Sequence, residues 1–105
     1  MSESLTVFGF GSFFTGVTKP GDIDLLLLHR SAEASSCQFA VDCKAMILSA
    51  LPAADVVMLS EAEAETHRFL LRAKAIELGE LSSDNLDAQV LALVGRLKHG
   101  GYLNV

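Results

Sequence analysis

Asp22-Ile23-Asp24-Leu25-Leu26-Leu27-Leu28-His29 is the stretch on which the fold turns. A continuous apolar run of this length, preceded by the turn pair Pro20-Gly21, fits a central strand buried on both faces. Asp22 and Asp24 stand two apart at its start, so their side chains leave the same face, roughly 6–7 Å apart at the backbone. A turn accounts for Asp22 after Pro20-Gly21. It does not account for Asp24, a carboxylate inside an apolar strand.

Working outward, residues 5–10 are β-branched and aromatic with a glycine inserted, a first strand that ends at Gly11-Ser12. Gly16, Pro20 and Gly21 mark the turn region that follows. Beyond the central strand, Ser35 or Ser36 caps a helix to about Leu51, with Phe39, Cys43, Met46, Ile47 and Ala50 as its apolar stripe. Pro52 stops it. Residues 55–59 (Asp-Val-Val-Met-Leu) form a third strand. Ser60 with Glu63 makes a capping box and opens a helix to Leu78, which buries Phe69, Leu70, Ala73 and Ile76 and ends at Gly79. Ser83 and Asp84 open a last helix with Leu86, Val90, Leu93, Val94 and Leu97 inward, stopped by Gly100-Gly101. The predicted class is α/β: one domain over residues 1–105, with a small three-stranded mixed sheet packed with helices.

Loop lengths choose the topology. Nine residues separate Ser12 from Asp22, too few for a parallel crossover, which needs a dozen or more. The first two strands are therefore expected to be antiparallel. A whole helix fits between Leu28 and Asp55, so the second and third strands can be parallel. Gly11-Ser12, Asp22, Asp24 and Asp55 then converge at one end of the sheet.

Three carboxylates crowded at strand ends repel one another, which is hard to rationalise without a cation. Hard oxygen ligands suit Mg²⁺ bridged to phosphates rather than zinc, which prefers His and Cys. Two such ions would clamp the attacking and leaving oxygens of a phosphoryl displacement. Gly11 lets the backbone approach a phosphate closely, and Ser12 offers a hydroxyl and an N–H.

Gly11-Ser12, nine residues, then Asp22-Ile23-Asp24 followed by four leucines resembles the signature of minimal nucleotidyltransferases in the DNA polymerase beta superfamily. Asp55, on the strand after an intervening helix, matches that family's third acid, and the likeness covers roughly residues 5–81. The resemblance implies a nucleotidyltransferase fold and transfer of a nucleotide, usually AMP from ATP, to a hydroxyl. Asp22 and Asp24 would bind both metals, and Asp55 would help activate the acceptor. Gly11 and Ser12 would meet the triphosphate. Members commonly carry a basic residue just before a glycine in the loop after Gly-Ser. Here that position is Thr15, and Lys19 is the one cation in the segment able to substitute for it. Members also begin with a helix before the first strand, where this chain starts almost directly on the strand. Small domains of this family often serve as antitoxins paired with an all-helical nuclease toxin. A helical toxin or a homodimer partner is therefore expected. The competing reading is a catalytically weak binding module that retains the fold and neutralises a partner by contact. A metal-dependent nuclease is a third reading, opposed by the Gly-Ser loop.

Bulk composition sets the bounds. The chain has 105 residues, half of them apolar and a fifth charged, enough for one hydrophobic core and not for two. Net charge is −5, from 13 acids against 8 bases, which disfavours nucleic acid as a partner. Cys37 and Cys43 would sit about 9 Å apart along a helix, beyond disulfide reach, so both are expected reduced and small buried hydrophobes. No basic leader and no long apolar span is visible, so the expectation is a cytoplasmic protein without a membrane anchor. His29 at the far end of the central strand, His67 on an acidic helix face and His99 beside Gly100 read as structural or surface residues. The last helix carries more apolar area than one stripe needs, so part of it is expected to cover the chain's own sheet and part to dock a second subunit or a toxin, a dimer burying Val90 and Leu91 being one such outcome.

Overall fold

The computed structural model describes residues 3–11, 14 and 23–99, with His99 through its backbone alone. In chain order the elements are β1 (Ser4–Phe10), β2 (Asp24–His29), α1 (Ala34–Ala50), β3 (Asp55–Ser60), α2 (Glu61–Thr66), α3 (Phe69–Arg72), β4 (Ile76–Ser82) and α4 (Leu86–His99). The strands form one mixed sheet in the order β3-β2-β1-β4. β1 runs antiparallel to β2 and β4, while β2 and β3 run parallel. Both directions inferred from loop lengths are those observed.

The two faces of β2 are covered by different layers. Leu25 and Leu27 join Leu5 and Val7 of β1 against Phe39, Ala40, Cys43 and Ile47 of α1 and Val90, Leu93, Val94 and Leu97 of α4. Leu26 points the other way, toward the side of α2 and α3. Leu25, Leu26 and Leu27 are all 0% exposed, each worth about 1.5–3 kcal/mol on burial. The four-leucine run is thus the centre of the domain.

The sheet has four strands where three were expected, and the helix expected over residues 60–78 is the source of the difference. Its start is as read: Ser60 Oγ accepts from the Glu63 N–H at 3.2 Å and Glu63 Oε1 accepts from the Ser60 N–H at 2.9 Å. The Glu63 carboxyl is held below its ordinary pKa chiefly by that backbone hydrogen bond. α2 ends after six residues, however, and Arg68 (φ 50°) and Lys74 (φ 53°) both take the left-handed conformation on either side of the single turn α3. Phe69, Leu70 and Ala73 are only half-buried, and Ile76 is 41% exposed in β4. Gly79, read as a helix stop, lies inside β4 opposite Val7.

The physical reason is a bulge. Val7 pairs with Gly79 but Phe8 pairs with Glu77, so Leu78 is an extra residue in the ladder. It puts the buried Leu78 and Leu81 three apart, a helical spacing that hides the strand's period of two. Pairing with β4 also satisfies backbone groups on β1 that a helix there would leave open.

α1 holds both cysteines, and both are free. Burial, with the charge of Asp42 adding, pushes the Cys43 thiol up to about 12, whereas Cys37 is only half-buried. The expectation of two buried cysteines holds for Cys43 alone. A thiol-reactive dye should therefore label one cysteine in the folded protein and two in guanidinium. Rapid labelling of both without denaturant would contradict this packing. Among the described residues no helix is long and apolar enough to cross a membrane.

Candidate functional site

Strand register carries the candidate site. Phe10, the last residue of β1, pairs with Asp24, the first of β2, and Asp24 pairs in turn with Asp55, the first of β3. The Asp55 N–H donates to the Ile23 carbonyl at 2.8 Å, which fixes the two acids side by side on adjacent strands. Register partners on neighbouring strands lie about 4.8 Å apart and share a face. Asp24 is half-buried and Asp55 exposed, so the pair opens outward at the sheet end.

Two glycines shape the approach. Gly11 has φ +82°, and a methyl group on it would strike the Asp24 carboxylate. Gly9 lies beneath the ring of Phe14, whose edge occupies the space a side chain at residue 9 would need. The Phe14 N–H donates to the Gly11 carbonyl at 3.1 Å, so the chain turns back over its own strand immediately after β1. Gly11 was read as a place where the backbone approaches a phosphate; the group beside it here is the Asp24 carboxylate. The role of Gly9 was missed; its signal was a glycine inside an apolar strand, which marks a close approach.

On the other face, which Phe10 shares with Asp24, Phe69 of α3 packs edge-on against Phe10, with ring centroids 5.3 Å apart and planes at 90°. His67, Phe69, Arg72 and Ala73 line a cavity of about 390 Å³ on that side. None of these four was assigned to the site from sequence, because a continuous helix would have carried them along a different path.

Asp24, Asp55 and Gly11 thus stand together. Ser12, Thr15, Lys19 and Asp22 lie outside the described residues. Among the described residues no group of three His, Cys, Asp or Glu could hold a metal ion; Asp24 and Asp55 supply two of the three expected carboxylates. Paired carboxylate oxygens at a sheet end, with no side chain at residue 11, are a donor set that suits a hard divalent cation.

His29 ends β2 at the opposite end of the sheet from Asp24, 6% exposed, with Nδ1 2.9 Å from the Ser31 carbonyl and 3.0 Å from Ser36 Oγ. A carbonyl only accepts, so Nδ1 carries the proton. Ser36 Oγ also accepts from the Ser31 N–H at 3.1 Å. His29 therefore ties the β2 exit to α1. His67 is exposed, and the side chain of His99 lies outside the described residues.

Comparisons of the chain with protein-family models, with curated proteins and with solved structures return no match.

Proposed function

We propose that the chain is a small Mg²⁺-dependent nucleotidyltransferase that moves a nucleotide, AMP from ATP, to a hydroxyl of a protein or small-molecule acceptor. The observation that carries this reading is the register Phe10–Asp24–Asp55, which joins the Gly11 turn to two carboxylates. The residue pattern of the polymerase beta superfamily supplies the reaction class.

Asp24 and Asp55, with Asp22, would hold Mg²⁺. Bound there, the ion would offset the charge of the triphosphate and of the pyrophosphate that leaves. The chain's own part is to position and to move a proton. Gly11 keeps the floor of the site free of a side chain. Asp24 is fixed by pairing on both sides. Asp55, the exposed member, can accept the proton of the attacking hydroxyl. Ser12 and Lys19 would meet the phosphates.

The second reading keeps the fold for contact alone, and Thr15 in place of the usual loop cation favours it. Either reading leaves room for a protein partner such as a helical toxin, or a second copy. Val90 and Leu91 do not form the expected partner face together: Val90 is 3% exposed within the chain's own core, and Leu91, at 69%, is left outside.

The test is thermal melting with ATP and Mg²⁺ together. Ligand at about 100 times its Kd stabilises by ~2.7 kcal/mol, a rise of roughly ten degrees for a domain of this size. ATP with a chelator should shift the melt little, because phosphates would then face unscreened carboxylates. An equal shift under both conditions would count against the metal-binding acids.

A further inference from the structure

The two edges of the sheet are treated differently. On β4 two of the outer groups are occupied: the Ser82 N–H donates to Gln89 Oε1 at 2.6 Å, and the Leu78 carbonyl accepts from Arg96 Nη2 at 2.7 Å. Gln89 Nε2 also donates to Ser82 Oγ at 3.0 Å. The exposed Glu77 and Glu80 add charge along that edge, a common way of blocking strand addition.

Among the described residues β3 has no such cover. The bond from the Asp55 N–H to Ile23 sets its phase, so residues 55, 57 and 59 turn their backbone groups toward β2. Val56, Met58 and Ser60 turn theirs outward. Glu63 takes the Ser60 N–H and so closes the far end. No described residue takes the N–H or C=O of Val56 or Met58. Between Asp55 and Ser60 the strand reads Val-Val-Met-Leu. It contains no Lys, no Pro and no bulge.

We propose that this edge pairs with β3 of a second copy of the chain, antiparallel, about a twofold axis through Val57. The open stretch is its own complement. Val56 opposite Met58 of the second copy exchanges two hydrogen bonds, and Met58 opposite the copy's Val56 exchanges two more. Every open group on both strands is then paired, and Val57 faces its counterpart in the close, non-hydrogen-bonded position. Shifting the register leaves open groups unpaired or runs into the closed Ser60 end. Each Asp55 falls opposite Leu59 of the copy, which keeps the two acid sites about 13 Å apart along the strands, counting four residues. The pairing rests on backbone geometry and is independent of the nucleotide reading.

Sedimentation equilibrium should find the wild-type chain dimeric. Like charges facing each other across a strand pair are destabilising. Val57→Lys and Val57→Glu should therefore each weaken the dimer by about tenfold or more, and an equimolar mixture of the two should restore it. Val57 is half-buried, so a second variant guards against unfolding. Val57→Cys in a Cys37→Ser background should form a disulfide across the axis on mild oxidation, because facing Cα atoms at ~4.5 Å lie within bonding range. A wild-type monomer at high micromolar concentration would overturn the proposal. So would a dimer indifferent to both charges, or a Val57→Cys protein that does not cross-link.

Discussion

The Asp24→Asn protein is expected to lose Mg²⁺-dependent nucleotidyl transfer by a thousandfold or more, about 4 kcal/mol of transition-state stabilisation. It is also expected to keep its fold. Asp24 is the acid held on both sides, by Phe10 and by Asp55, so its position is the best fixed of the pair. Asparagine preserves shape and leaves one acceptor oxygen, but it removes the charge a hard cation requires. In the metal-free protein the substitution removes one of two neighbouring like charges, which relieves repulsion. The melting temperature should therefore stay level or rise slightly, and the ATP–Mg²⁺ shift should vanish. Labelled triphosphate with Mg²⁺, alone and with candidate acceptor proteins, reads the activity; a thermal melt reads the fold. An Asp24→Asn variant that unfolds would make Asp24 a structural residue and remove it from the chemistry. A variant that transfers nucleotide at the wild-type rate would defeat the proposed function itself.

The parts of the fold that were legible in the sequence are those where one constraint acts alone. A run of four leucines cannot be half-exposed, so β2 had to be central, and the observed burial of Leu25, Leu26 and Leu27 follows from that. A nine-residue connection cannot cross over a sheet, so β1 and β2 had to be antiparallel. β4 failed because two constraints compete there. Residues 60–66 carry a real capping box and a helix-favouring Glu-Ala pattern, and Phe69, Leu70, Ala73 and Ile76 continue it at helical spacing. Against that stood the open edge of β1, which no local pattern reveals. The bulge at Leu78 then disguised the strand by spacing Leu78 and Leu81 as a helix would.

The site divides in the same way. Asp24 was legible because a carboxylate in an apolar strand conflicts with its surroundings, and such conflicts gather at functional positions. Asp55 followed once the third strand was placed. Phe14 over Gly9 and Phe69 against Phe10 were not legible, since each depends on where the chain goes after a turn. The open edge at Val56 and Met58 was equally hidden. It depends on the phase of the β2–β3 ladder.

Gly11→Ala is the substitution expected to separate the site's geometry from its charge. An alanine at φ +82° adopts the left-handed region at a cost of roughly 1–2 kcal/mol, and its methyl group meets the Asp24 carboxylate. The carboxylate has to move or the turn has to open. Both displace the acid from its place beside Asp55, while every charge is retained. Denaturant unfolding should show a loss of about 1–3 kcal/mol. The ATP–Mg²⁺ melting shift should fall further than that loss explains, because the acid pair is out of register. Gly95→Ala is the control. Gly95 lies in α4 with nothing within 4 Å of an added methyl, so alanine there should leave nucleotide binding untouched and stabilise by up to ~1 kcal/mol. If both proteins bind and melt alike, the Gly11 turn does not support the Asp24 carboxylate, and the acid pair loses the feature that distinguishes it from two surface aspartates.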